Sequence, residues 1–332
     1  MPLITADFHL DDNEKNAYRW EVFSALRRRL RDHGPDDVFI LGDLTDRANH
    51  HSATLVHALV AELQSLVQCG ATGVHIIRGN HDAPMKGPGY WLVLNRLEGG
   101  RIRYHDRPTA LDRLVLLPWT SDPDADWRDL DLSQFDAAFL HMTVPGAMME
   151  SGIRSRGRDF AFPSGLKLYS GDVHTPQTIG QLTYVGAPHP VKFGDTYPCR
   201  VLVLDGDFGI AGEITLNPPR KLVLEVGSVA ELEHAGVRAG DSLRIRMLLP
   251  EGGIAGWQER QREILAWASA CGGAVASLEP VIEFSDGVAE VRGGDAEPEE
   301  VLAAYCAAHG IGGEILQAGL DLLAGARDSV AP

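Results

Sequence analysis

Cysteine is scarce in this chain. Cys69, Cys199, Cys271 and Cys306 are the only four in 332 residues, and no two stand close enough in sequence for a zinc ribbon or a redox pair. That excludes a disulfide scaffold and predicts reduced thiols in a cytoplasmic protein. Positive charge is in deficit: 30 Lys and Arg against 46 Asp and Glu give a formal charge of −16. A protein that coats nucleic acid by counterion release is thereby excluded, although an enzyme that acts on nucleic acid is not. Apolar runs are short and broken by charge, well under the roughly 20 residues that cross a bilayer, so no membrane association is expected. Met1-Pro2-Leu3-Ile4 runs into Asp7 and His9 without the basic and apolar segments of a signal peptide. Internal repeats and low-complexity tracts are also lacking.

What remains is an ordinary globular composition, 44% hydrophobic and 23% charged. A length of 332 residues suggests two units. Leu3–Ala6, Val38–Leu41 and Val74–Ile77 read as strands. Helical stripes run between them over Glu14–Arg31 and Ala53–Val67. This βαβαβ opening predicts an α/β fold with its ligands at the carboxyl ends of the strands. Further strands are expected at Leu114–Leu117, Ala137–Leu140, Leu166–Tyr169, Leu182–Val185 and Val201–Leu204. Pro218-Pro219 marks an expected boundary between a domain of residues 1–217 and a small α+β domain of 220–332. The second contains strands at Leu243–Leu249 and Val281–Phe284, helices at Gln258–Ala270 and Pro298–Ala308, and a turn at Arg292–Asp295. From Arg220 on, 9 basic residues face 18 acidic ones.

Five segments, each just past an expected strand, carry Asp, Asn and His: Asp7-Phe8-His9, Gly42-Asp43-Leu44-Thr45-Asp46, Gly79-Asn80-His81-Asp82, His141, and Gly171-Asp172-Val173-His174. On an extended backbone, Asp-x-His points both side chains to one side. Two cations about 4 Å apart can hold phosphate oxygens and activate a water for attack, and such a pair needs a shared carboxylate. Mixed oxygen and nitrogen donors suit manganese, iron or zinc better than calcium. Asp46 reads equally as a substrate contact or as a cap for the following helix. His50-His51 reads as a solvated loop, while His33, His57, His75, His105, His234 and His309 have no partners at ligand spacing. Arg154, Arg156 and Arg158 form a basic stretch between His141 and Asp172 that could grip a phosphate backbone.

The order Asp-x-His, Gly-Asp-x-x-Asp, Gly-Asn-His-Asp, His, Gly-x-x-His resembles the calcineurin-like metallophosphoesterase superfamily over about residues 1–205. Gly171–Gln177, Tyr184–Pro188 and Phe193-Gly-Asp195 are similar to SbcD-type DNA repair nuclease subunits, including phage relatives. The resemblance implies a four-layer αββα sandwich with a small carboxyl-terminal α+β cap. It implies one cation on Asp7, His9, Asp43 and His174, and a second on Asp43, Asn80, His141 and Asp172. His81 would be the general acid or phosphate contact, oriented by Asp82. His189 lies in the Gly-Ala-Pro-His stretch near the site, a position from which it could contact substrate or simply be structural. The family has Gly-His-x-His where this chain has Gly171-Asp172-Val173-His174, and a carboxylate there shifts the expected preference to manganese or magnesium. Metal-dependent exonuclease and endonuclease action on DNA, an SbcC-type ATPase partner and a homodimer follow as expectations. Two other readings fit the same residues: a nucleotide or small-molecule phosphodiesterase or phosphatase, and a scaffold subunit with a degenerate metal site.

Overall fold

The computed structural model describes residues 1–84, 89–158, 160–250, 253, 254, 256–283, 298–308, 311 and 313–328. Phe284, Arg292–Asp295 and His309 lie outside these residues. The chain divides into two compact units. The larger comprises Met1–Leu224, Gly236–Arg244 and Ala266–Ser277, and the smaller Glu225–Ala235, Ile245–Leu265 and Leu278–Pro332.

The larger unit begins with β1 (Leu3–Thr5), α1 (Glu21–His33), β2 (Asp36–Leu41), α2 (Ala53–Gln68), β3 (Ala71–Ile77) and β4 (Ile102–His105). It continues through β5 (Thr109–Leu111), β6 (Leu114–Leu117), β7 (Ala137–His141), β8 (Lys167–Gly171), β9 (Gln177–Ile179), β10 (Leu182–Tyr184), β11 (Arg200–Leu204) and β12 (Ile210–Thr215). These strands form two six-stranded sheets, with orders β12-β11-β1-β2-β3-β4 and β5-β6-β7-β8-β10-β9. β1 through β4 run parallel, as do β6, β7, β8 and β10. Antiparallel strands close the edges.

Residue parity along the strands sorts side chains into layers, because successive side chains leave opposite faces. In β2, Val38 and Ile40 pack with Phe23, Leu26 and Leu30 of α1 and Leu59 and Leu63 of α2. Phe39 and Leu41 point the other way and meet Phe139 and Tyr169 of the second sheet. β6 divides in the same manner: Leu114 and Leu116 enter the layer between the sheets, whereas Val115 and Leu117 face Trp127, Leu132 and Leu168 on the far side. Strands apolar on both faces are what a buried parallel sheet requires. The architecture is a four-layer α/β sandwich. Its fourth layer is thin, built of irregular chain and helical turns at Pro123–Asp126 and Leu132–Gln134.

The helix expected from Glu14 is two structures. Glu14–Trp20 winds as a 3-10 helix, with Asn13 capping it through Lys15 N, and α geometry starts at Glu21. The tighter turn carries Arg19 inward, where it is only 4% exposed. Beyond residue 220, β13 (Lys221–Val226), β14 (Ser242–Pro250) and β15 (Ala274–Glu283) form a three-stranded sheet. The helix Trp257–Ala270 lies in the same part of the chain, as do Pro298–Ala308 and Gly313–Asp328, where Gly319 sits against Leu302. Among the described residues no helix is long and apolar enough to cross a membrane.

One buried polar chain links β3 to β4. His75 Nδ1 lies 3.1 Å from His105 Nε2, and His105 Nδ1 lies 3.2 Å from Thr109 Oγ1. The Thr109 hydroxyl donates to the Arg107 carbonyl, so His105 must donate at Nδ1. Burial, with His75 beside it, holds the His105 pKa down at about 4, so the ring is neutral near pH 7 and accepts at Nε2. Its value returns to about 6.5 on unfolding, so this contribution is intact above about pH 6.5 and is lost as pH falls towards about 4. We expect unfolding free energy to drop by roughly 3 kcal/mol across that window from this residue. Denaturant titrations at a series of pH values check it: His105→Gln should flatten that part of the profile, and an unchanged slope would refute the assignment.

Candidate metal centre

The carboxyl ends of β1, β2 and β3 in one sheet, and of β7 and β8 in the other, converge on one cluster. Asp7 and His9 follow β1, Asp43 and Asp46 follow β2, and Asn80, His81 and Asp82 follow β3. His141 ends β7, while Asp172 and His174 follow β8. The backbone here is strained. Asp7 (φ 56°), His9 (φ 45°), Asp43 (φ 52°) and Asp172 (φ 78°) are all left-handed. Such conformations cost of order 1 kcal/mol or more each and persist only where the surroundings impose them. The Asp-x-His pair is thus not on an extended strand as expected. β1 ends at Thr5, and the Asp7 and His9 amides donate to the carbonyls of Gly42 (3.1 Å) and Asp43 (2.9 Å). Phe8, between them, is buried edge-on against Phe23.

Two glycines permit the approach of these loops. A Cβ at Gly42, itself at φ 88°, would strike the His141 ring, and one at Gly79 would strike the carboxylate and amide of Asp43.

Hydrogen bonds fix which ring atoms remain to act as ligands. His141 Nδ1 donates to the Leu41 carbonyl at 2.7 Å. Its Nε2 lone pair therefore faces Asn80 Oδ1 at 3.0 Å, Asp43 Oδ1 at 3.4 Å and Asp172 Oδ1 at 3.7 Å. His9 Nδ1 donates to Asp46 Oδ1 at 2.8 Å, leaving Nε2 3.1 Å from His174 Nε2 and 3.5 Å from Asp43 Oδ2. Asp43 thus turns one oxygen to each group. Ligand atoms of Asp7, His9 and His174 lie within 4.8 Å of one another, as do those of Asp7, Asp43 and His141.

This arrangement is repulsive without a cation. Asp7 Oδ2 is buried with no hydrogen-bond partner among the described residues. The His141 Nε2 lone pair faces the oxygens of Asn80 and Asp43, and the 3.1 Å between His9 Nε2 and His174 Nε2 is about the separation of two nitrogens bound at right angles to one ion. Burial pushes the Asp7 and Asp43 carboxyls well above the usual range, with other carboxylates adding to the effect. Burial lowers His9, and together with the neighbouring His9 ring it takes His174 down to about 2. Neutral imidazoles and shared carboxylates fit a pair of divalent cations.

His81 is exposed at the rim. Its amide donates to Asp43 Oδ1 at 3.0 Å, its ring sits edge-on to His9 at 4.9 Å, and its Nδ1 is 3.4 Å from the Asp46 carbonyl. Asp82 does not orient it. That carboxylate is buried and accepts from the amides of Leu44 (3.1 Å), Thr45 (3.2 Å) and Gly79 (3.1 Å). These amides belong to two loops and would otherwise be orphaned donors, so Asp82 clamps the loops. His189 is also displaced from its expected role: it is buried and donates to the Phe8 carbonyl at 2.9 Å, bracing the turn between Asp7 and His9. Arg154, Arg156 and Arg158 have exposed side chains, and Arg154 donates to the Gly146 carbonyl at 3.1 Å. Their segment is nevertheless pinned to the cluster, as the Thr143 hydroxyl donates to Asp172 Oδ2 at 2.5 Å and Met148 pairs with Gln177.

Three contributors, Arg19, Thr143 and Glu150, were not apparent from the sequence, and Asp46 takes a role other than the two expected. Asp46 neither caps a helix nor lines the rim alone; it orients His9, while Ser52 caps α2. Arg19 reaches Asp46 Oδ2 at 3.3 Å, a contact the 3-10 turn creates and no sequence spacing announces. Thr143 and Glu150 lie in irregular chain. Glu150 accepts from the His174 amide at 2.8 Å and faces Nδ1 at 3.6 Å. His51 packs at 4.6 Å against both Tyr90 and Trp91, a half-buried setting that differs from the solvated loop expected for it.

Carboxylates behind a metal-ligating histidine typically tune affinity 10–100-fold. Glu150→Gln is therefore expected to weaken manganese at one of two sites by roughly tenfold in calorimetric titration, with the other site unchanged. The manganese-induced rise in melting temperature should be larger near pH 8 than near pH 5.5, because binding needs the carboxyls and imidazoles deprotonated. Equal shifts at both pH values would contradict the assignment of these ligands.

No curated protein sequence matches this chain. Among solved structures similar to it is the nuclease MPE of Pseudomonas putida, 18% identical, with 55% of this chain and 66% of that one aligned at a TM-score of 0.31. The chain thus spans just under two thirds of that nuclease, and a likeness so distant carries no argument about activity. The sequence itself matches the calcineurin-like phosphoesterase family over residues 3–176, more than half of its length and the stretch that supplies all the clustered ligands, so the chain belongs to the calcineurin-like phosphoesterases.

Proposed function

We propose that this chain is a metal-dependent DNA nuclease, with exonuclease and endonuclease action, that uses two manganese ions, with magnesium as the alternative metal. The observation that carries the reading is Asp43, whose two oxygens face separate donor groups while the exposed His81 stands at the rim. Divalent cations bound there supply Lewis acidity to a phosphodiester and acidify a water. Asp46 and Glu150 hold His9 and His174 in register, Asp82 fixes the loops, and Thr143 orients Asp172. With Nδ1 turned towards the Asp46 carbonyl, His81 presents Nε2 outward, where it can donate a proton to the leaving oxygen or hold a phosphate. The exposed Arg154, Arg156 and Arg158, anchored through Thr143, would contact the backbone of DNA. Residues 220–332 would serve as the cap, and the assembly would be a cytoplasmic homodimer working with an SbcC-type ATPase.

The formal charge of −16 favours a second reading, a nucleotide or small-molecule phosphodiesterase, whose substrates need no extended cationic track. A degenerate scaffold site is the weaker alternative, since each expected ligand has its donor atoms in the cluster.

End-labelled linear duplex and single-stranded DNA, incubated with manganese, discriminate among these. Wild type should cleave, and His81→Ala should lose roughly 100-fold or more in rate while retaining its metal. Hydrolysis of a chromogenic diester without DNA cleavage would shift the assignment to the small-molecule enzyme. Failure of both, with an empty site, would favour the scaffold.

A further inference from the structure

Away from the ligands, one aromatic ring collects cations in a chain where acidic residues outnumber basic ones by 46 to 30. Phe193 lies at the tip of the loop between β10 and β11. The Arg244 guanidinium sits 4.2 Å above its ring centroid, and the Lys221 ammonium is 5.8 Å from the same ring and from Tyr18. Arg244 is exposed and has no carboxylate partner among the described residues. Val223, two residues along β13 from Lys221 and so on the same face, is 46% exposed.

The loop is built to hold its tip. The buried Asp195 carboxylate accepts from the amides of Val191 (2.9 Å) and Lys192 (2.7 Å), and the Gly194 amide donates to the Lys221 carbonyl at 2.9 Å. Lys192 connects the tip to the metal centre: its ammonium is 3.9 Å from Glu150 Oε2, while Glu150 Oε1 is 3.6 Å from His174 Nδ1. A chain bound on Phe193 would therefore lie beside the ligands.

We infer that Phe193 and Arg244, with Lys192 and Lys221, form a platform for a single strand of nucleic acid, one base stacking on the ring–guanidinium pair and its flanking phosphates meeting the ammonium groups. A polynucleotide strand alternates a flat apolar surface with a negative charge, and this patch offers the complement of both. A single strand is specified because the stacked base must be free of its duplex neighbours. The inference rests on the nuclease reading, and names where that substrate would sit.

Binding of a short fluorescein-labelled oligothymidylate to the metal-free protein, followed by anisotropy over a range of salt concentrations, tests it without turnover. Phe193→Leu should weaken binding roughly tenfold with the salt dependence unchanged. Arg244→Gln and Lys192→Gln should each lower the slope of log affinity against log salt by about one. If Phe193→Leu melts early, the two surface variants decide. Wild-type binding with all three variants indistinguishable from it would overturn the platform and leave the nuclease reading standing. No binding by wild type would overturn the platform, while manganese-dependent cleavage of duplex DNA separately decides the nuclease reading.

Discussion

Everything in the larger unit is arranged around negative charge and lone pairs packed where water cannot reach them. Asp7 and Asp43 are buried, and Asp7 keeps an oxygen without a partner among the described residues. His9 and His141 turn bare Nε2 atoms toward these oxygens, and His174 Nε2 lies 3.1 Å from that of His9. Removing such groups from water costs several kcal/mol per charge unless a countercharge is supplied. Among the described residues no Lys or Arg side chain pairs with these buried carboxylates: Arg19 meets Asp46, the carboxylate behind His9. The compensation has to come from cations, and the fold is a device for holding their ligands together until they arrive.

Parallel strands make this possible. Their carboxyl ends finish on one side of each sheet, so two stacked sheets present five loops to a common space. The apolar layer between the sheets, with Phe39, Leu41, Phe139 and Tyr169, sets their spacing. His141 spans the gap by donating from β7 of the second sheet to Leu41 at the end of β2 in the first. Strain at Asp7, His9, Asp43 and Asp172 is then the local cost of turning side chains inward within four residues of a strand's end.

Much of this was legible in the sequence. Residues whose identity carries the chemistry stand out because Asp, Asn and His are conspicuous after apolar strands. Leu114–Leu117 and Pro298–Ala308 match their elements residue for residue. Strands with weak patterns were not visible: β12 is an edge strand, Ile-Ala-Gly-Glu-Ile-Thr, largely exposed, and β4 alternates Ile-Arg-Tyr-His. The supporting contacts were hidden for a different reason. Glu150 meets His174 across 24 positions and Arg19 meets Asp46 across 27, and nothing local to either residue encodes a partner so distant. Asp82 was assigned to its neighbour in sequence, whereas backbone donors in two loops claimed its oxygens.

That carboxylate has a consequence for how cations come and go. Three amide donors tie the loops after β2 and β3 to Asp82 by contacts that include no metal. The loops after β2 and β3 are therefore joined whether or not the centre is filled, and these two need no refolding when an ion enters. A cradle that keeps its dimensions when vacant chooses among ions by how well each tolerates a fixed set of distances, so competition between manganese, magnesium and zinc becomes a question of coordination geometry more than of which ion gathers the chain around itself.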